Sequence, residues 1–239
     1  NLGRDIQDQV MGITRTTLRR ALSNVDIDID INEDKDLRRA YISDENWSGR
    51  NLANADLRKA ILTDVDMNGV NLHNADLRKS FINNTQMTGS NLSGADLRKA
   101  TINTCNLQSV NLHRADMRSA AMWDVNLLAA NLSNASLRGV VLVDCNLEGV
   151  NLKDADVRGM VLYECPIDQT TIMPDGQHYD GDVDRYGIAI AEGPPPPPPP
   201  LPPMPPQAPE KPKGKPKRRV VINIGEDAET EIDAAMEEV

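Results

Sequence analysis

From Leu52 to Ile167 a large apolar residue recurs at every fifth position, twenty-four times in succession. Leu52, Leu57, Leu62, Met67, Leu72, Leu77 and Ile82 begin the series. Two residues before each stands something small, as at Ala55, Ala60, Val65, Val70, Ala75, Ser80 and Thr85; Arg50 and Met160 are the long exceptions. A period of five fits neither a helix, which repeats every 3.6 residues, nor a plain strand, which repeats every two. The same stretch also repeats every twenty residues, each copy opening on Asn-Leu at Asn51, Asn71, Asn91, Asn111, Asn131 and Asn151, with no insertion. A fixed period of this kind predicts a solenoid, in which each repeat buries its apolar side only by stacking on its neighbours.

The segments ADLRK at 55–59, 75–79 and 95–99 resemble the motif A(D/N)LXX of the pentapeptide-repeat family. The resemblance covers roughly half of the chain. It implies an all-β solenoid: a right-handed, four-sided parallel β-helix of about six coils, with one five-residue segment per side. Stacked coils satisfy their backbone groups by parallel ladder bonds at about 4.7–4.9 Å per step, so six coils make a rod of about 29 Å. Leucine-like and small residues alternating toward the axis leave no room there for a ring. Aromatic residues make up only 3% of the chain, and the one Phe, Phe81, falls on an outward position.

Residues twenty apart form columns, so each side of the rod can be read as a list. Side one carries the asparagines at 51, 71, 91, 111, 131 and 151, whose stacked amides can hydrogen-bond along the column. Side two carries Arg58, Arg78, Arg98, Arg118, Arg138 and Arg158, with Lys59, Lys79 and Lys99, against Asp56, Asp76, Asp96, Asp116 and Asp156; Ser136 interrupts the acidic row. Nine cations against five anions make this side either a lattice of surface ion pairs or a strip that docks phosphate or carboxylate. Side three is mixed in its early coils, with Ile61, Thr63, Phe81, Asn83, Thr101 and Asn103. In its late coils it becomes an apolar strip of Ala121, Trp123, Val141, Val143, Val161 and Tyr163. An exposed strip of a few hundred Å² usually has a partner. The occupant is either another protein or a second copy, or else the chain's own returning segment YGIAIAE at 186–192; short apolar strands close by usually dock within the chain. Side four, with Asp66, Gln86, Asn106, Asn126 and Asn146, carries no readable chemistry.

The rod occupies residues 50–172, and what flanks it differs in charge. The formal charge is −10, yet residues 50–168 hold 12 cations and 13 anions, so the acidity lies outside the rod. Residues 1–49 predict a cap for the rod's open edge. Leu2, Ile6, Val10, Ile13, Leu18 and Leu22 give an amphipathic helix. The alternation VDIDIDI at 25–31 gives a half-buried acidic strand, and Leu37, Ala40, Ile42 and Trp47 a half-formed first coil. Residues 173–193 read as an acidic loop and a short strand. Residues 194–219 are a proline-rich and then basic arm, disordered as a domain but stiffened locally by polyproline II at about 3.1 Å per residue. Residues 220–239 suggest a short strand and helix, too few to bury a core of their own.

Function follows from what the columns can present. Flat sides around a filled axis do not make the concave site that catalysis needs. His73 and His113 are two coils (about 10 Å) apart, and no phosphate loop, nucleophile elbow or metal spacing occurs. The reading is non-enzymatic, without catalytic residue, metal, cofactor or small-molecule substrate. Cys105, Cys145 and Cys165 share one inward column and read as small buried hydrophobes, which points to a reducing compartment, the cytoplasm; a chain opening on Asn1 leaves room for a removed signal. No apolar run is long enough to span a membrane. The sequence therefore predicts an interaction scaffold that binds a protein partner or itself through side three or side two. Two alternatives stand beside it. Some pentapeptide-repeat proteins resemble duplex DNA and protect or inhibit DNA gyrase, but that resemblance implies a strongly negative rod. Nucleic-acid or acidic-surface binding by side two and the basic arm is opposed by the interleaved aspartates, which repel phosphate.

Overall fold

A computed structural model of the chain describes residues 35–200 and 202–203. The expected N-terminal helix and acidic strand, most of the proline-rich and basic arm, and the C-terminal strand and helix lie outside these residues. Within them the backbone is a parallel β-solenoid. Strands β1 (Tyr41–Ser43), β2 (Ile61–Thr63), β3 (Phe81–Asn83), β4 (Thr101–Asn103), β5 (Ala121–Trp123), β6 (Val141–Val143) and β7 (Val161–Tyr163) succeed one another at intervals of twenty residues. Each pairs in parallel with the next, so that Leu62 faces Ile82 and Ile82 faces Ile102. The ladder is continuous at the other sides through bridges such as Asn51 to Asn71, Asp56 to Asp76 and Asp66 to Gln86. Its first bridge joins Asp36 to Asp56, so residues 35–50 already lie in the register of the rod.

The five-residue period arises from one repeated corner. On side two the Ala60 amide donates to the Leu57 carbonyl at 3.0 Å, and Lys59 between them has φ 59°, a reverse turn with positive φ at its third residue. Asp56 fixes the same corner from outside, its Oδ1 accepting the Arg58 amide at 3.2 Å. This is the local bond that suits Asp and Asn to turns, and it accounts for the D/N of the repeat. Side three lacks that turn hydrogen bond and instead forms a sheet, consistent with its β-branched and aromatic residues. Nineteen non-glycine residues among those described stand at positive φ, mostly at corners.

Inside, the two inward positions of each corner fill the axis. Leu57, Leu62, Met67, Leu72 and Leu77 are fully buried, as are Ala55, Ala60, Val70 and Ala75. Each leucine removed from water is worth about 1.5–3 kcal/mol, and the repetition of that gain along the axis offsets the cost of so many left-handed corners. The C-terminal end is closed by the chain itself. Met173, Val183 and Ile188 are buried, a 3-10 turn at Asp184–Tyr186 is braced by Tyr186 Oη donating to Asp175 at 2.7 Å, and β8 (Ala189–Ile190) adds an eighth parallel strand beside β7.

Two expectations change here. Of the three cysteines, Cys105 and Cys145 are buried but Cys165 is only half-buried. It lies where the regular coil gives way at Pro166, and no further residue of its column stacks upon it. The segment 186–192 docks within the chain, but through β8 it extends the sheet at its edge rather than covering the apolar strip.

Candidate interaction surfaces

Side two is a zipper of ion pairs. Arg78 donates from Nε to Asp76 Oδ1 at 2.8 Å and from Nη2 to Oδ2 at 2.6 Å, while its Nε lies 3.5 Å from Asp96 of the next coil. Arg38, Arg58 and Arg98 repeat both contacts, so each of Asp56, Asp76, Asp96 and Asp116 sits between two guanidinium groups. These bidentate bonds hold Asp56 and Asp156 below the usual carboxylate range, and raise Arg78 and Arg118 above theirs. Asp36, bonded to Arg38, falls to about 2.

The pattern loosens at Ser136. Arg138 has Ser136 where the other arginines have an aspartate two residues before them, and among the described residues it pairs only with Asp156, at 3.8 Å; Arg158 is 70% exposed. Lys59, Lys79 and Lys99 stand exposed at the corners and join no ion pair among the described residues. The N-terminal end of this side holds a concavity of about 570 Å³ lined by Asp36, Arg38, Arg39, Arg58 and Lys59.

Side one is a bonded amide column. Asn71 Nδ2 donates to Asn51 Oδ1 at 3.0 Å, and the next three steps measure 3.2, 3.3 and 3.3 Å. Each Oδ1 also accepts the amide two residues on, as from His73 to Asn71 at 3.1 Å. His73 and His113 each bond a serine of the next coil, Ser93 at 2.8 Å and Ser133 at 2.9 Å; they do not converge.

Repeated D/N corners, a bonded asparagine column and a leucine-filled axis are the structural meaning of the five-residue motif. Family models agree, a pentapeptide repeat region matching residues 46–112 and pentapeptide repeats in eight copies matching residues 130–165. The rod is a pentapeptide-repeat domain. Solved pentapeptide-repeat structures are similar to it. HetL of the cyanobacterium Nostoc sp. strain PCC 7120, involved in heterocyst differentiation regulation, is 23% identical over 60% of this chain and 83% of its own, with a TM-score of 0.30. A protein of the Arabidopsis thaliana thylakoid lumen is 24% identical over 48% and 69%, with a TM-score of 0.33. QnrB1, a plasmid-mediated fluoroquinolone resistance protein, is 14% identical over 65% and 88%, with a TM-score of 0.41. No curated protein sequence matches the chain.

Side three of this pentapeptide-repeat rod keeps the expected strip, in two parts. Ala121, Trp123, Val141, Val161 and Tyr163 are half-buried. Val143, expected as an accessible member, is 2% exposed. Phe81 likewise stands at an outward register position yet is only 8% exposed. The Trp123 indole donates from Nε1 to the carbonyl oxygen of Pro196 at 3.0 Å. The proline tract thus reaches the strip, a contact between residues 73 positions apart that no local pattern announces.

Proposed function

We propose that this pentapeptide-repeat protein is a non-catalytic scaffold that presents side three to a protein partner. The observation that carries the reading is the contrast between its two chemically distinct sides. On side two the guanidinium groups are largely engaged by aspartates of the lattice, so a phosphate would have to displace ion pairs to gain ion pairs. On side three an indole, a phenol and three valines stand at outward positions of a sheet, where aromatic residues are the usual anchors of an interface. A filled axis argues against a reaction centre, since convergent groups need a concavity. No helix among the described residues is long and apolar enough to cross a membrane.

The test compares the full chain with its W123A/Y163A variant by affinity capture with quantitative mass spectrometry and by light scattering. Loss of a captured partner or of self-association at unchanged circular dichroism supports the reading. The same captured set and the same mass in both proteins would refute it. The DNA-mimic alternative is disfavoured by the charge neutralisation on side two, because mimicry needs an unbalanced negative surface; inhibition of gyrase supercoiling by stoichiometric protein would reverse that ranking.

A further inference from the structure

We propose that side three is a polyproline-binding groove and that the chain's own tract at 194–200 occupies it in cis, so that a partner must displace the tract. This deepens the contact-face reading above and rests on it. Four observations converge.

The first is the path. β8 lies beside β7, and the Ala191 amide donates to the Leu162 carbonyl at 2.9 Å, which fixes where the chain leaves the sheet edge. Pro196 is at Trp123 of β5, three ladder steps back along the rod. Three steps are about 14 Å, and the six residues from Ile190 to Pro196 span about 19 Å as polyproline II. The tract therefore has the length to run back over the rows of Tyr163 and Val143.

The second is the burial of Val143. It shares an outward column with Trp123 and Tyr163, yet it is 2% exposed while both aromatics are half-buried. Trp123 and Tyr163 flank this smaller side chain in the column, and the route from β8 to Trp123 also crosses its row.

The third is partial burial within the tract. Pro195, Pro199 and Pro202 are half-buried, whereas Pro194, Pro196, Pro197, Pro198, Pro200 and Pro203 are exposed. Half-buried rings among exposed ones place the tract along a surface rather than clear of it, and their steps of four and then three do not keep to a single face of a three-residue turn.

The fourth is donor chemistry. Proline offers a carbonyl acceptor and no N–H, and an indole N–H is a donor with no acceptor. A proline run on an aromatic, apolar surface that supplies such a donor is a known mode of peptide recognition. Here receptor and ligand belong to one chain. The holding contacts are apolar burial and one indole hydrogen bond, while tethering supplies an effective concentration of order millimolar. The tract is thus bound by virtue of its linkage and remains exchangeable with a competing proline-rich segment.

The experiment follows the Trp123 indole N–H resonance by ¹⁵N-edited NMR, assigned by W123F, with Trp47 as internal reference. Two full-length proteins are compared, the parent and one in which residues 194–200 are replaced by an equal length of Gly and Ser; P196G serves as a milder second variant. Replacement is expected to move the Trp123 resonance and raise its solvent exchange about ten-fold or more, leaving Trp47 unchanged. A synthetic peptide of residues 194–206 should return the resonance to its parental position in the replaced protein and bind the parent about ten-fold or more weakly, the competition expected of a tethered ligand. Dilution of the parent should leave the resonance in place. Identical Trp123 behaviour in parent and replaced protein, or a peptide that leaves the replaced protein's Trp123 unmoved, would overturn the groove. A dilution-dependent shift would overturn occupation in cis in favour of exchange between copies. If the groove behaves as expected while W123A/Y163A captures the same partners, the scaffold reading fails and the groove stands.

Discussion

Two serines in one coil should respond oppositely to the loss of a hydroxyl. Ser80 and Ser90 are both buried at inward positions, 1% and 0% exposed. Ser90 Oγ donates to the Met67 carbonyl at 2.7 Å, while Ser80 Oγ has no hydrogen-bond partner among the described residues. Ser80 also stands in an otherwise apolar column, between Ala60 and Ala100. A buried hydroxyl without a partner costs about 1–3 kcal/mol, and a made hydrogen bond contributes about 1 kcal/mol. S80A is therefore expected to stabilise by about 1 kcal/mol, the small gap left by the oxygen taking back part of the gain. S90A is expected to destabilise by about 1 kcal/mol and no more, because the Met67 carbonyl keeps the Val70 amide at 3.1 Å and is not orphaned. Urea titrations followed by circular dichroism read the difference directly. With a slope of about 2 kcal/mol/M the midpoints move about 0.5 M in opposite directions. Both sites lie in the same coil, so the local nature of solenoid stability affects them alike. A midpoint for S80A that falls as far as that of S90A would refute the reasoning, since the Ser80 hydroxyl would then have to be bonded.

Further predictions come from the corners, the ion pairs and the thiols. Thr104 is an exposed β-branched residue at φ 50°; T104G should raise the urea midpoint by an amount equivalent to about 1 kcal/mol, and a lowered midpoint would show that the corner is not strained. Asp56 and Asp156, kept low by hydrogen bonds from Arg58 and Arg158, contribute stability that is fully present above the unfolded carboxylate value of about 3.9. That contribution is lost as pH falls through their lower folded values, so the urea midpoint should hold down to about pH 4 and drop below it; a midpoint unchanged at pH 2.5 would contradict this. Burial pushes the Cys105 thiol up to about 12; the hydrogen bond between Cys145 and Cys165, with burial behind it, raises Cys145, and the same bond lowers the half-buried Cys165. Iodoacetamide at neutral pH should therefore label Cys165 first, and peptide mapping that finds Cys105 or Cys145 labelled as quickly would exclude the assignment.

The solenoid was legible because its energetics are local and repeated. Leucine every fifth residue with a small residue two before it specifies what lies inside each corner. Asp or Asn beside it specifies the corner's outer bond, and stacking then places every twentieth residue in one column. The chain's sequence by itself thus determined the axis, the four sides, the asparagine column and the rows of arginine and aspartate on one side, while the structure showed those rows to be paired. What it could not determine was where non-repeating segments meet the rod. The five-residue phase stops near Ile172, and beyond it apolar character announces a short strand within 186–192 but not its place. Tertiary structure alone decided that this strand extends the sheet beside β7, that Met173, Val183 and Ile188 close the axis, and that Pro196 lies against Trp123. A ladder bond in a regular coil is implied by a neighbour twenty residues away, but the Trp123 contact spans 73 residues with no period to carry it. It depends instead on the length of the returning chain and on which donor the rod leaves unpaired.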